Sequence, residues 1–166
     1  MNMTKAMQIP VEQPIITVTG LCIDAVTDDG RRTPIVQDVS FTIPRGKVLA
    51  LIGESGSGKT TISLSAMGYF KPGCELVSGS VVLDGTELAG LPEHDIQKLR
   101  GTRVSYVAQS AAAAFNSALK INWQVTEVAR TRMGMSKADA DERALGLYRD
   151  LELPKPESIG NRYPHQ

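Results

Sequence analysis

Residues 53–60 read Gly-Glu-Ser-Gly-Ser-Gly-Lys-Thr and satisfy the pattern Gly-x-x-x-x-Gly-Lys-[Ser/Thr], the loop that wraps nucleotide phosphates in one large class of proteins. The flanks supply the context this loop requires. Residues 47–52, Lys-Val-Leu-Ala-Leu-Ile, form a short apolar run that predicts a buried strand, and residues 61–67 can continue as a helix. Gly53, Gly56 and Gly58 carry no side chain to block a phosphate, so consecutive backbone N–H groups can point inward at the start of the helix dipole. Lys59 offers a full positive charge to the β- and γ-phosphates, and the Thr60 hydroxyl suits a magnesium ion. Glu54, Ser55, Ser57 and Thr61 complete the candidate phosphate-binding set. A flexible Gly/Ser linker is the bland alternative, but a linker does not normally join an apolar strand to a helix or end in Lys-Thr.

The chain of 166 residues fits one ordinary domain, with 42% apolar and 22% charged residues, as in a soluble globular protein. Its 18 basic residues balance 18 acidic ones, which gives no general electrostatic reason to expect nucleic acid or an anionic membrane as a partner. The N-terminus lacks the apolar core of a signal peptide, and no run approaches the roughly 20 apolar residues of a membrane span. The expected location is therefore cytoplasmic. Cys22 and Cys74 stand in no metal-binding or redox spacing and read as free thiols. His94 and His165 lack a second ligand at i+3 or i+4 and read as surface histidines.

Residues 1–14 predict a loose leader. Residues 15–23 alternate, with Ile16 and Val18 followed by Leu21 and Ile23, and predict a strand. A polar turn at residues 27–32 leads to a second strand over 35–43. Beyond the loop helix, residues 79–85 predict a strand closed by an Asp-Gly turn. Pro92 opens a short helix that ends near residues 99–101. Residues 103–108 predict another apolar strand, delivering Gln109 at its C-terminal end. Residues 123–150 take a helical pattern, with Ser136 and Asp139 as an N-cap signal, and residues 154–166 read as irregular. The expected division is a leader over 1–14, a β-rich and nucleotide-binding part over 15–109, and a partial helical part over 110–166.

With these residues in place, the chain resembles the ATP-binding subunits of ABC transporters, most closely those of the peptide and nickel importer type. The resemblance is carried by Val39-Ser40-Phe41 through Arg45-Gly46-Lys47, the octet at 53–60, the hairpin at 79–85, Val104 through Gln109, and the ending Arg162-Tyr163-Pro164-His165-Gln166. It covers residues 15–166. It implies an α/β P-loop fold of the ABC ATPase type, with an N-terminal β subdomain and the start of a helical subdomain. It implies ATP and Mg2+ as cofactors, a second ATP-binding subunit, and membrane subunits as partners on the inner face of the cell membrane. Function follows as ATP binding and, in the complete protein, hydrolysis that powers import of peptides or similar small solutes. The alternatives are a non-catalytic nucleotide-binding fragment and an ATPase of the same type in a non-transport complex. By the same resemblance Lys59 and Gln109 are catalytic, and Thr60 and Gln109 serve the metal. Read alone, Gln109 is a glutamine capping a strand end.

Two local features depart from the family pattern. Where relatives carry an adenine-stacking aromatic residue, this sequence has Ala25, which leaves the base to another side chain such as Phe41. After Gln109, Ser110-Ala111-Ala112-Ala113-Ala114 replaces the usual Asp-Pro stretch. The signature, the Asp-Glu strand and the switch histidine of the family are not among these residues. The chain is expected to be the first half to two-thirds of an ATPase domain, cut just before its signature, with apolar faces left exposed.

Overall fold

A computed structural model describes residues 13–110 and 114–166. The expected leader lies outside them up to residue 12, as do Ala111, Ala112 and Ala113. The described residues fall into two compact units divided between Ile96 and Gln97.

The first unit is built on strand β1 (Ile16–Val26). It pairs antiparallel with β2 (Arg32–Ile43) on one side and β3 (Cys74–Leu83) on the other, and the two-residue β4 (Thr86–Glu87) extends the sheet to the order β2-β1-β3-β4. The turn between β3 and β4 is the expected Asp-Gly pair, with φ of 48° at Asp84 and 78° at Gly85, the mirror-image geometry that matches strand twist.

The apolar pattern of β1 changes parity between Val18 and Leu21, yet Val18, Leu21 and Ile23 are all buried. A bulge makes this possible. The register slips on both neighbours of β1, between Val18 and Leu21 against β2 and between Thr19 and Cys22 against β3. The extra residue moves the next side chains back to the buried face. Gly20 takes φ +58° there, and Gly79 of β3 crosses it so closely that a Cβ on Gly79 would lie 2.6 Å from the Gly20 carbonyl oxygen. The backbone amides beside the slip find side-chain acceptors: Gly20 N donates to Ser40 Oγ at 2.8 Å, and Asp38 N donates to Cys22 Sγ at 3.3 Å.

Two helices belong to this part of the chain. Helix α1 (Lys59–Ser65) buries Leu64 and Ser65, and α2 (Glu93–Leu99) buries Ile96. Gly68 follows α1 at φ +70°, with Ile96 and Leu88 against it. At the end of β4, burial pushes the Glu87 carboxyl up. Hydrogen bonds from the Ser80 hydroxyl and the Val81 and Ala89 amides outweigh that and hold it below the ordinary carboxylate range.

The second unit is helical. Helices α3 (Ile121–Val125) and α4 (Glu127–Thr131) are single turns, and α5 (Lys137–Asp150) is the long element. Ser136 caps α5 as expected: its hydroxyl accepts from Asp139 N at 3.2 Å and donates to the Asp139 carboxylate at 2.8 Å. A short helix α6 (Pro156–Ile159) forms where the sequence read as irregular, because a proline in the first turn needs no amide partner.

Asn122 joins these helices. Its Nδ2 donates to Asp141 at 2.7 Å, its Oδ1 accepts from the buried Tyr148 hydroxyl at 3.0 Å, and its backbone N donates to Gly160 O at 2.9 Å. Ile121 N donates to Arg162 O at 2.9 Å beside it. A Cβ on Gly160 would lie 2.9 Å from that of Asn122, so only glycine fits. The hydrogen bond from Lys137, with a smaller one from Asn122, lowers the Asp141 carboxyl below its usual range despite partial desolvation.

Two expected strands are not formed. Residues 47–52 make no ladder bonds among the described residues, and Val48 and Ile52 are 95% and 94% exposed. Residues 103–108 contribute only one bridge, from Arg100 to Val104, and Val107 is 90% exposed. A core strand of a parallel sheet takes hydrogen bonds from both edges and apolar cover from both faces, and the four-stranded sheet described above offers neither run a place.

Asn122→Asp sets a second carboxylate against Asp141 and is expected to lower stability by about 1–3 kcal/mol. Adding Asp141→Asn puts a donor opposite an acceptor again and should recover most of that loss in thermal melts followed by circular dichroism. For Glu87, a folded pKa below the unfolded one means stabilisation that is present above the unfolded value and lost as pH falls through the folded value. Glu87→Gln should therefore lose less stability than wild type on acidification below about pH 4.5, read as melting temperature against pH.

Candidate functional site

The octet turns directly from the exposed run 47–52 into α1. Gly56 and Gly58 adopt φ of 82° and 85°, a left-handed conformation that favours glycine. Ser57 N donates to Glu54 O at 3.3 Å, which closes a turn, and Ile62 N donates to Gly58 O at 2.9 Å, which starts the helix. No acidic residue stands in the first turn of α1, so the positive end of the helix is not neutralised locally.

Lys59 folds back over this loop. Its Nζ donates to Gly53 O at 2.8 Å, to Glu54 O, and to Ser57 Oγ at 3.2 Å. The ammonium is thus bonded to both carbonyls at the start of the loop and to a side chain near its end. Loop closure is tight: a Cβ on Gly53 would lie 2.9 Å from Ser57 Oγ.

The loop is seated on the sheet through Gly58. A Cβ there would lie 3.3 Å from Ile35 O and 3.7 Å from Val36 Cγ2, and Val36 is buried in register with Ile23 of β1. Ile35 is the neighbour that the motif itself does not reveal. Nothing in its local pattern marks it, since its proximity depends on how β2 runs beneath α1.

The structure brings Gly53, Glu54, Ser57, Gly58 and Lys59 together, with Thr60 and Thr61 in the first turn of α1. Thr60 is exposed, and its hydroxyl is a hard oxygen donor of the kind magnesium takes alongside phosphate oxygens and water. Ser55 and Gly56 form the exposed outer bend. Gln109 belongs to the second unit and is exposed on irregular chain rather than at a strand end. Ala25 lies on β1 opposite Thr33 and Cys74, and Phe41 lies on β2 opposite Val18.

Other candidate ligands stay apart. His94 pairs with Asp95 on the surface at 3.2 Å, and His165 stacks on Tyr163 with ring centroids 5.8 Å apart. Cys22 and Cys74 are free thiols. Among the described residues no group of three His, Cys, Asp or Glu could hold a metal, and no helix is long and apolar enough to cross a membrane.

A glycine-lined loop at a helix start, closed by its own lysine and attached to an antiparallel sheet, defines a P-loop protein of the ABC ATPase fold. The solved dimer of the ATP-binding cassette MJ0796 bound to ADP and Pi has this fold, with a TM-score of 0.71 at 20% identity over 91% of this chain and 62% of that one. The chain belongs to the ABC transporter family, whose profile matches residues 36–157.

Among curated relatives, it is similar to the dipeptide transport ATP-binding protein DppD of Lactococcus lactis subsp. cremoris, at 34% identity over 93% of this chain and 44% of the relative. It is similar to the oligopeptide transport ATP-binding protein AppD of Bacillus subtilis at 38% identity, over 80% and 41%. Against the oligopeptide transport ATP-binding protein OppD of Escherichia coli the identity is 29%, over 100% and 50%. The chain spans about half the length of the curated relatives it matches.

Gly58→Ala forces a side chain into a left-handed backbone against Ile35 O. It is expected to lower stability by about 1–3 kcal/mol, measured by urea unfolding.

Proposed function

We propose that this chain binds ATP through Gly53, Glu54, Ser55, Gly56, Ser57, Gly58, Lys59, Thr60 and Thr61. The observation that carries the reading is the Lys59 ammonium held across a loop of left-handed glycines by Gly53 O and Glu54 O. In that position the lysine charge lies against the loop, where the β- and γ-phosphates would sit. Thr60 would give its hydroxyl oxygen to hold a Mg2+ ion. The chemistry such an ion would supply there is neutralisation of phosphate charge. By the family resemblance Gln109 would serve the γ-phosphate and the attacking water in the complete subunit, a role open to an exposed side-chain amide.

In this reading the chain is a portion of a longer cytoplasmic subunit on the inner face of the membrane. The subunit works as one of a pair and drives membrane subunits that import peptides or similar small solutes. The likeness to dipeptide and oligopeptide transport ATP-binding proteins supports the solute class. Turnover is assigned to that assembly. Phosphoryl transfer needs a second acidic magnesium ligand and a fixed water.

Calorimetry tests the binding step. Wild type should bind ATP in the presence of Mg2+, and Lys59→Ala should weaken it by about tenfold or more, the worth of one charge-assisted contact. Equal affinity for the two proteins would overturn the assignment. Phosphate release by the 166-residue chain should not exceed that of the same variant.

A further inference from the structure

An ammonium has three N–H donors, and the loop gives Lys59 three acceptors. Two are carbonyls at the start of the loop, fixed by the main chain. The third is the Ser57 hydroxyl, the longest contact at 3.2 Å and the one whose acceptor can rotate away. That hydroxyl lies over the Gly53 Cα, where an added Cβ would meet it at 2.9 Å. It therefore lies between the lysine and Gly53 in an exposed part of the loop.

We infer that Ser57 is a placeholder: its hydroxyl occupies the third acceptor position of Lys59 until a phosphate oxygen takes it, and it thereby sets nucleotide affinity. The inference rests on the phosphate-binding reading above. With all three donors satisfied, an incoming phosphate cannot simply add a bond to the lysine. It must exchange with one acceptor, and the rotatable neutral hydroxyl yields more readily than a main-chain carbonyl. The same contact keeps the long lysine side chain ordered over the loop when no ligand is present, which limits the rotamer entropy lost on binding. Ser57 is thus a positioning residue with two opposed effects, and the competition with phosphate is the larger, because the Lys59–Ser57 bond is lost in full on binding whereas the ordering of the lysine is shared with two carbonyls.

Trace acetylation with acetic anhydride, read by mass spectrometry of peptides and normalised to Lys71, reports how firmly Lys59 is held in the nucleotide-free chain. Ser57→Ala should raise the Lys59 rate about tenfold or more, the span one hydrogen bond from a charged donor covers. It should tighten Mg2+-ATP and Mg2+-pyrophosphate binding, measured by calorimetry, by a similar factor. Ser57→Cys, nearly isosteric and a poor acceptor, should move both readouts the same way and guards against a fold effect of alanine. If ATP protects Lys59 in wild type but both Ser57 variants leave rate and affinity unchanged, the placeholder is refuted and the ATP-binding reading stands. If ATP never protects Lys59, that reading fails, and Ser57 with it as a determinant of affinity.

Discussion

The crossing of β1 and β3 at Gly20 and Gly79 is the constraint on which the first unit depends. Two backbones approach until a single added carbon would collide with a carbonyl oxygen. The slip they create lets Val18, Leu21 and Ile23 face one core although their sequence parity differs. Burying such a side chain is worth about 1.5–3 kcal/mol each, far more than the local penalty of a bulge whose amides are taken up by Ser40 and Cys22. The same face presents Val36, and Val36 with Ile35 O is the floor on which Gly58 and the start of α1 rest. Placement of the candidate phosphate loop thus descends from a glycine pair far from it in sequence.

The sheet also manages its outer edge. On β2 the edge carries Pro34, which donates no hydrogen bond, and Asp38, whose φ of 49° breaks the regular ladder. Both discourage pairing with another chain. The runs at 47–52 and 103–108 have no such protection and expose Val48, Ile52 and Val107. In a chain that spans about half of its relatives' length, these are the surfaces where packing is least satisfied.

In the second unit a polar joint does the work that apolar contact does in the first. Asn122 gives its side-chain donor to Asp141, its side-chain acceptor to Tyr148 and its backbone amide to Gly160. Partly buried polar groups favour one arrangement because any other leaves a donor or acceptor unmatched. The ending at Arg162, held by Ile121, is ordered by this joint despite its irregular sequence.

What the sequence determined by itself was everything governed by a few neighbouring residues. The phosphate-loop octet, the Asp84-Gly85 turn and the Ser136 cap with Asp139 depend on backbone preference and contacts within about four positions, and such rules can be read directly. The tertiary structure alone decided whether the apolar runs at 47–52 and 103–108 become strands, since a strand exists only through partners elsewhere in the chain. It also decided that Ile35 lies beneath Gly58 and that Asn122 binds three segments. These contacts join residues whose spacing carries no pattern, and only the folded path of the backbone brings them within reach.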